Sequence, residues 1–167
     1  MILRWFLLVS LGVLFCFGSG TFAAETNPKL DRNQPIEITS QKLEVLQQQR
    51  QSIFTGEVVA KQGEMTLYAE KLIVYFQKDQ DQVERLDAVG SVRVTQLDRI
   101  ATAEKAVFHQ EEETLVLIGN AEVTQGKNKV SGDEITLYLK ENRTLIKSSE
   151  KGRVKATIVP EKKQEQQ

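Results

Sequence analysis

The chain has 167 residues, with 22 Lys and Arg against 23 Asp and Glu, a formal net charge of −1 and one cysteine. That balance excludes a basic field large enough to hold a nucleic-acid backbone, so no nucleic-acid partner is expected. The cysteine, Cys16, lies in an apolar N-terminal run, which leaves the rest of the sequence without a disulfide, a zinc-thiolate site or a thiol nucleophile.

Residues 1–24 read as a cleavable export signal. Arg4 supplies the positive end, residues 5–17 form an apolar run of 13, and Thr21-Phe22-Ala23 puts small residues where a signal peptidase reads. As a helix, such a run rises only about 20 Å against the roughly 30 Å of a bilayer core, so cleavage after Ala23, in preference to Ala24, is expected over a retained anchor. Export without cysteine points to a bacterial periplasm. What remains is one domain's worth of chain.

Residues 25–34 are polar, contain Pro28, and read as an extended leader. Ile36 and Ile38 open the first strand, and Leu43 and Val45 face the same way if that strand breaks near Ser40. A polar hairpin end follows at residues 47–51, and a repeat begins. Gly56, Gly90 and Gly119 are 34 and 29 residues apart, and Glu70, Glu104 and Asp133 keep the same two offsets. Half units flank the three: residues 38–45 precede 67–74 by 29, and Gly152 follows Gly119 by 33. No such unit can bury a core alone, so the units must stack and share one apolar face.

That face is written in period two, because side chains two apart share a side of a sheet. The outgoing strands place Phe54, Val58 and Ala60, then Leu86, Ala88, Val92 and Val94, then Leu115, Leu117, Ala121 and Val123 in one phase. The return strands add Met65, Leu67, Leu72 and Val74, then Ala106 and Phe108, then Val130, Ile135 and Leu137. Strands of about five to eight residues are expected, shorter than the 9–11 of a membrane barrel, joined by polar turns at 77–82, 109–113 and 140–143. A Gly recurring at one phase, and a small residue followed by an acid (Ala69-Glu70, Ala103-Glu104, Gly132-Asp133), mark corners where a strand crosses between sheets. The expected fold is all-β, an open, twisted, V-shaped jelly-roll over residues 35–160 with two sheets facing across an apolar interior. Residues 161–167 read as a disordered polar tail.

Catalytic chemistry finds no support in the sequence. The one histidine, His109, occupies a place that Tyr75 and Tyr138 hold in the other units, which marks it as structural. Glu111, Glu112 and Glu113 lack the alternate spacing of a calcium loop, and neither a metal nor a cofactor is expected. The lining is built largely of Val, Ala, Ile and Gly. Sheets so lined either close tightly on one another as a core or splay and leave an apolar groove, and the residues alone leave both open.

Four segments carry a resemblance: Gln34-Pro35-Ile36-Glu37-Ile38, Phe54-Thr55-Gly56-Glu57-Val58, Leu117-Ile118-Gly119-Asn120-Ala121 and Gly132-Asp133-Glu134-Ile135-Thr136. Together they resemble the LptA, or OstA-like, family of periplasmic lipopolysaccharide-transport proteins, over residues 35–159. The resemblance implies a jelly-roll open along one side that stacks head to tail with copies of itself. It also implies that lipopolysaccharide arrives through an inner-membrane LptC-like protein and leaves to an outer-membrane LptD-like protein, with no enzymatic step.

Carried onto this sequence, the lining becomes an acyl-chain groove. Ile36 and Ile38 match lipid-contact positions of the opening strand, and Val94 sits where a groove-lining aromatic can occur. Val58, Ala60, Leu67, Val74 and Val92 join them, with Phe108, Ala121, Val123, Ile135 and Leu137 from the later units. Ile36 and Ile38 at one end and Val154, Ala156 and Ile158 at the other would be the docking edges, and Lys61, Arg93, Lys127 and Lys129 the candidates to meet phosphates at the rim. Two alternatives accompany this reading: a membrane-anchored LptC-like member of the same pathway, and a closed β-repeat scaffold with no lipid ligand.

Overall fold

The computed structural model describes residues 34–78, 82–149 and 152–160. The export signal, leader residues 25–33 and the tail at 161–167 lie outside the described residues. Two short strands open the described chain, β1 (Glu37–Thr39) and β2 (Lys42–Leu46), and a 3-10 turn at Gln47–Gln49 follows. Six long strands then run back and forth: β3 (Gln51–Gln62), β4 (Met65–Phe76), β5 (Val83–Gln96), β6 (Arg99–His109), β7 (Thr114–Gln125) and β8 (Asn128–Tyr138). Two short strands, β9 (Arg143–Lys147) and β10 (Lys155–Thr157), end the series, and every pairing is antiparallel.

The long strands have 11 to 14 residues, not the five to eight expected from the sequence. The reason lies at the recurrent glycines. Each outgoing strand carries one extra residue there, a pair (Gly56-Glu57, Gly90-Ser91, Gly119-Asn120) standing where the return strand has one, and the register with its neighbours shifts across it. Both residues of each pair are left-handed, with φ of 80 to 85° at the glycine and 45 to 47° at its successor. The return strands answer with a phase slip. Ala69 and Leu72, Ala103 and Ala106, and Gly132 and Ile135 stand on the inner side three residues apart instead of two. Bulges sharpen local twist and bend a strand, and a row of them across neighbouring strands folds the whole sheet along one line. What reads as two short strands is one strand creased in the middle.

The crease divides the sheet into two arms. In the tight-turn arm, consecutive strands are joined by two-residue connections at 63–64, 97–98 and 126–127, and β1 and β10 are its outer strands. In the loop arm the connections are longer, and β2 and β9 are the outer strands. Each arm is therefore eight strands wide, and among the described residues neither pair of outer strands bonds to the other, so the sheet stays open.

Polar side chains stitch the outside of the crease. Gln41 Nε2 donates to Glu57 Oε2 at 3.1 Å, Ser91 Oγ to Glu70 Oε1 at 3.3 Å, and Asn120 Nδ2 to Glu104 Oε1 at 2.7 Å. At the far end Ser148 Oγ and the Ser149 backbone N–H both donate to Asp133 Oδ2. Glu70 and Glu104 thus reach across the neighbouring bulge and lie against the bare Cα of Gly90 and Gly119, and Gln41 takes the same place over Gly56. The backbone N–H of Ser149, together with the two serine hydroxyls, holds the Asp133 carboxyl below the usual carboxylate range.

Inside the crease both arms feed one apolar cluster. Val58, Val92 and Ala121 come from the tight-turn arm and Leu72, Leu117 and Ile135 from the loop arm, all essentially removed from water. Each of the larger side chains contributes roughly 1.5–3 kcal/mol by burial. The V is held from within by this cluster and from without by the stitches.

Candidate functional site

The registers line up the inner face as tiers running across the strands. In the tight-turn arm one tier runs Ile38, Ala60, Leu67, Val94, Ala101, Val123, Val130 and Ala156, from one edge strand to the other. In the loop arm the corresponding tier is Ser52, Val74, Leu86, Phe108, Leu115, Leu137 and Thr144. Burial loosens away from the crease. Leu117, Ala121 and Ile135 beside it are 0% exposed; in the next tiers Val94, Ala101 and Val74 stay buried, while Ala60, Leu67, Val123 and Val130, with Leu86, Leu115 and Leu137 opposite, are only half-buried. A closed sandwich would bury these middle tiers most deeply. The gradient belongs to two arms that meet at the crease and separate toward their tips.

The structure thus brings Ile38, Val58, Ala60, Leu67, Val74, Val92, Val94, Ala121, Val123, Ile135 and Leu137 into one inner lining with its core cluster. Phe108 stands in the same loop-arm tier and is half-buried. Ile36 precedes β1 and is exposed. Of the expected docking residues, only Ala156 lies within β10; Val154 and Ile158 flank it and are exposed, so the last strand is shorter than residues 154–159. The sequence reading missed β2 and β9 as edges, although β9 places Ile146 against the core.

Three of the four rim cations are misplaced by that reading. Lys61, Arg93 and Lys129 alternate with the inner tiers and face outward; Lys129 pairs with Glu122 at 2.7 Å, and the Arg93 guanidinium lies 6.0 Å from the Tyr68 ring centre. Lys127 sits in the β7–β8 turn. Among the strand cations of the described residues Arg99 faces inward: it is one residue past the β5–β6 turn and two from Ala101, so alternation puts both on the same side.

His109 falls in an outer tier with Tyr75, Arg85 and Tyr138, away from the lining. Beside it Arg85 covers the Tyr75 ring at 4.1 Å and, with Lys105, neutralises the buried Asp87 at 2.9 and 3.6 Å. Among the described residues no group of three His, Cys, Asp or Glu side chains is placed to hold a metal. The inner surface offers apolar contact and exclusion of water, which is the chemistry of holding an alkyl chain.

Fold and site together define an open β-jelly-roll with an apolar inner face that runs from one sheet edge to the other. The family model described as "LptA/(LptD N-terminal domain) LPS transport protein" matches residues 37–143, and the chain belongs to that family. It is similar to the lipopolysaccharide export system protein LptA of Haemophilus influenzae, 30% identical over 145 residues covering 82% of this chain and 84% of the relative. An uncharacterized protein of Rhizobium meliloti is 29% identical over 119 residues, 66% of this chain, and the chain spans 64% of that relative's length. Among solved structures, that of LptH, the LptA-homologous periplasmic component of the lipopolysaccharide transport device of Pseudomonas aeruginosa, superposes with a TM-score of 0.71 at 21% identity, covering 79% of this chain and all of that one.

Proposed function

We propose that this chain is an exported periplasmic carrier that binds lipopolysaccharide by its acyl chains along the inner lining and passes it toward the outer membrane. The observation that carries the reading is the continuous apolar tier from Ile38 on β1 to Ala156 on β10, of which only Val94 and Ala101 are buried. An acyl chain of about a dozen carbons gives up on the order of 10 kcal/mol on entering water, at roughly 0.8 kcal/mol per methylene. A groove open along its length and at both ends removes most of that barrier without covalent chemistry or a cofactor.

The paired edges give the second half of the proposal. β1 with β2, and β9 with β10, leave strand edges at the two ends of both arms. Strand addition there joins copies of the chain head to tail, and joins the ends of the stack to similar jelly-roll domains of an inner-membrane LptC-like and an outer-membrane LptD-like protein. Exposed apolar side chains on or beside those edges, Leu43, Val45, Val154 and Ile158, fit that use.

Native mass spectrometry of the mature chain with lipopolysaccharide tests the first half. Bound lipid is expected for the wild type and is lost in Ile38→Glu and Val123→Asp at nearly unchanged melting temperature. No lipid on the wild type, or parallel loss of lipid and fold in both variants, leaves the closed scaffold as the better account. N-terminal sequencing of periplasmic material is expected to start at Ala24; a retained Met1 would favour an anchored, LptC-like protein.

A further inference from the structure

The outermost inner tier of the tight-turn arm differs in kind from those beneath it. It runs Gln62, Met65, Gln96, Arg99, Gln125 and Asn128, polar at every position but Met65, at the lip of an apolar wall. Its ends are engaged: Gln62 Nε2 donates to the Gln34 carbonyl at 3.1 Å, and Asn128 Oδ1 accepts from the Val159 N–H at 2.9 Å. Its middle is not. Arg99 stands directly opposite Gln96 on one side and Gln125 on the other, and none of the three side chains has a hydrogen-bond or ion-pair partner among the described residues. The Arg99 Nε is shielded from water and unpaired, although Asp98 is its neighbour in the chain. A polar donor cut off from water without an acceptor costs stability until an acceptor arrives.

The opposite lip has another character. Phe76 and Val83 of the loop arm pack against the core, and Leu139, just past β8, is exposed. One lip of the groove thus carries a cation flanked by amides, and the other carries the apolar Phe76, Val83 and Leu139. Ala101 and Val123 lie two residues below Arg99 and Gln125, which in a strand is about 7 Å. That is the span between the charged head and the first methylenes of an amphiphile.

We propose that Arg99, flanked by Gln96 and Gln125, binds a phosphate group on the head of the acylated lipid whose tails occupy the lining. A guanidinium presents a fork of N–H donors matched to phosphate oxygens, and the two carboxamides add neutral donors on either side. The proposal rests on the lipid-carrier reading and assigns the lipid's direction: head toward the tight-turn lip, tails toward the crease.

The test is displacement of a fluorescent alkyl probe from the mature chain by bisphosphorylated lipid A and by the same lipid after enzymatic dephosphorylation. The wild type is expected to favour the phosphorylated lipid about tenfold, the worth of one charge-assisted contact. Arg99→Gln is expected to abolish that preference without weakening the dephosphorylated lipid, and Arg99→Lys to retain part of it. Inorganic phosphate at millimolar concentration is expected neither to displace the lipid nor to erase the preference. Equal affinity of the wild type for the two lipids, or a preference unchanged in Arg99→Gln, overturns the assignment while leaving the carrier reading intact. Erasure of the preference by inorganic phosphate overturns it in favour of a free-anion site. Failure of the wild type to bind either lipid sinks the carrier reading itself and this assignment with it.

Discussion

Substitution of Gly90 tests whether the crease is built as described. The residue has φ of +85°, and a Cβ placed on it would stand 2.7 Å from the Glu70 Cβ and 2.5 Å from its Cδ. The left-handed backbone alone costs an alanine about 1 kcal/mol. The collision with a Cβ that cannot swing aside adds about 1–3 kcal/mol of overpacking. Gly126 is the internal control, because it also has positive φ, at +56°, yet a Cβ there would meet nothing within 4 Å. Urea unfolding followed by far-ultraviolet circular dichroism is therefore expected to show Gly90→Ala down by about 2–4 kcal/mol and Gly126→Ala by about 1 kcal/mol. Adding Glu70→Gly to Gly90→Ala removes the obstructing carbon, and the double-mutant cycle is expected to return a coupling of about 1–2 kcal/mol. If the two alanine variants lose the same stability within about 0.5 kcal/mol, and the cycle shows no coupling, the side chain of Glu70 does not lie over the bulge and the account of the crease is wrong.

Three further outcomes follow from single residues. Leu97 has φ of 53° where the other tight turns have Gly63 and Gly126 at 56°, so Leu97→Gly is expected to raise stability by up to about 1 kcal/mol in the same urea assay. Leu117 is fully buried inside the crease, and Leu117→Ala is expected to cost about 3 kcal/mol in urea unfolding, several times the cost of truncating exposed Leu145. Asp133 is held below its ordinary pKa of 3.8, so its hydrogen bonds stabilise the fold above that value and the contribution is lost as pH falls through the lowered folded value. The stability gap between wild type and Asp133→Asn is accordingly expected to be constant near neutrality and to close below about pH 3.8, with backbone hydrogen exchange at Ser149 following the same curve.

Much of this fold could be read directly from residue order. The apolar phase of Val92 and Val94, and of Ala121 and Val123, is maintained through uniform strands, and the shared offsets of the glycines and acids marked the crease. Continuity through the crease was hidden. A strand that slips phase at Glu70 or Glu104 looks, residue by residue, like one strand ending and another beginning. β9 was hidden for a different reason: Arg143–Lys147 has too few apolar residues to signal a strand, and its place depends on pairing with the second half of β8. Arg99 sits beside a turn, where a charge is unremarkable, and only the register between Gln96 and Gln125 turns it inward. Lys61, Arg93 and Lys129 show the converse. Their charge suggests a phosphate-facing rim, but their parity places them on the outer face.

The crease also bears on which partners the proposed stacking can accept. At each end the edge is split between two short strands, β1 with β2 and β9 with β10, because the first and last long strands bend and no straight neighbour can follow them through the bend. An extended peptide added to such an edge pairs with one arm and runs past the other. Only a partner creased at the same level bonds to both arms and carries the inner tier forward without a gap. A sheet edge is ordinarily indiscriminate, since any strand can supply backbone donors and acceptors. On the proposed reading the left-handed Gly-X pairs that crease the sheet also make its ends selective, so the feature that would open the V to an alkyl chain is the one that would restrict stacking to other creased sheets.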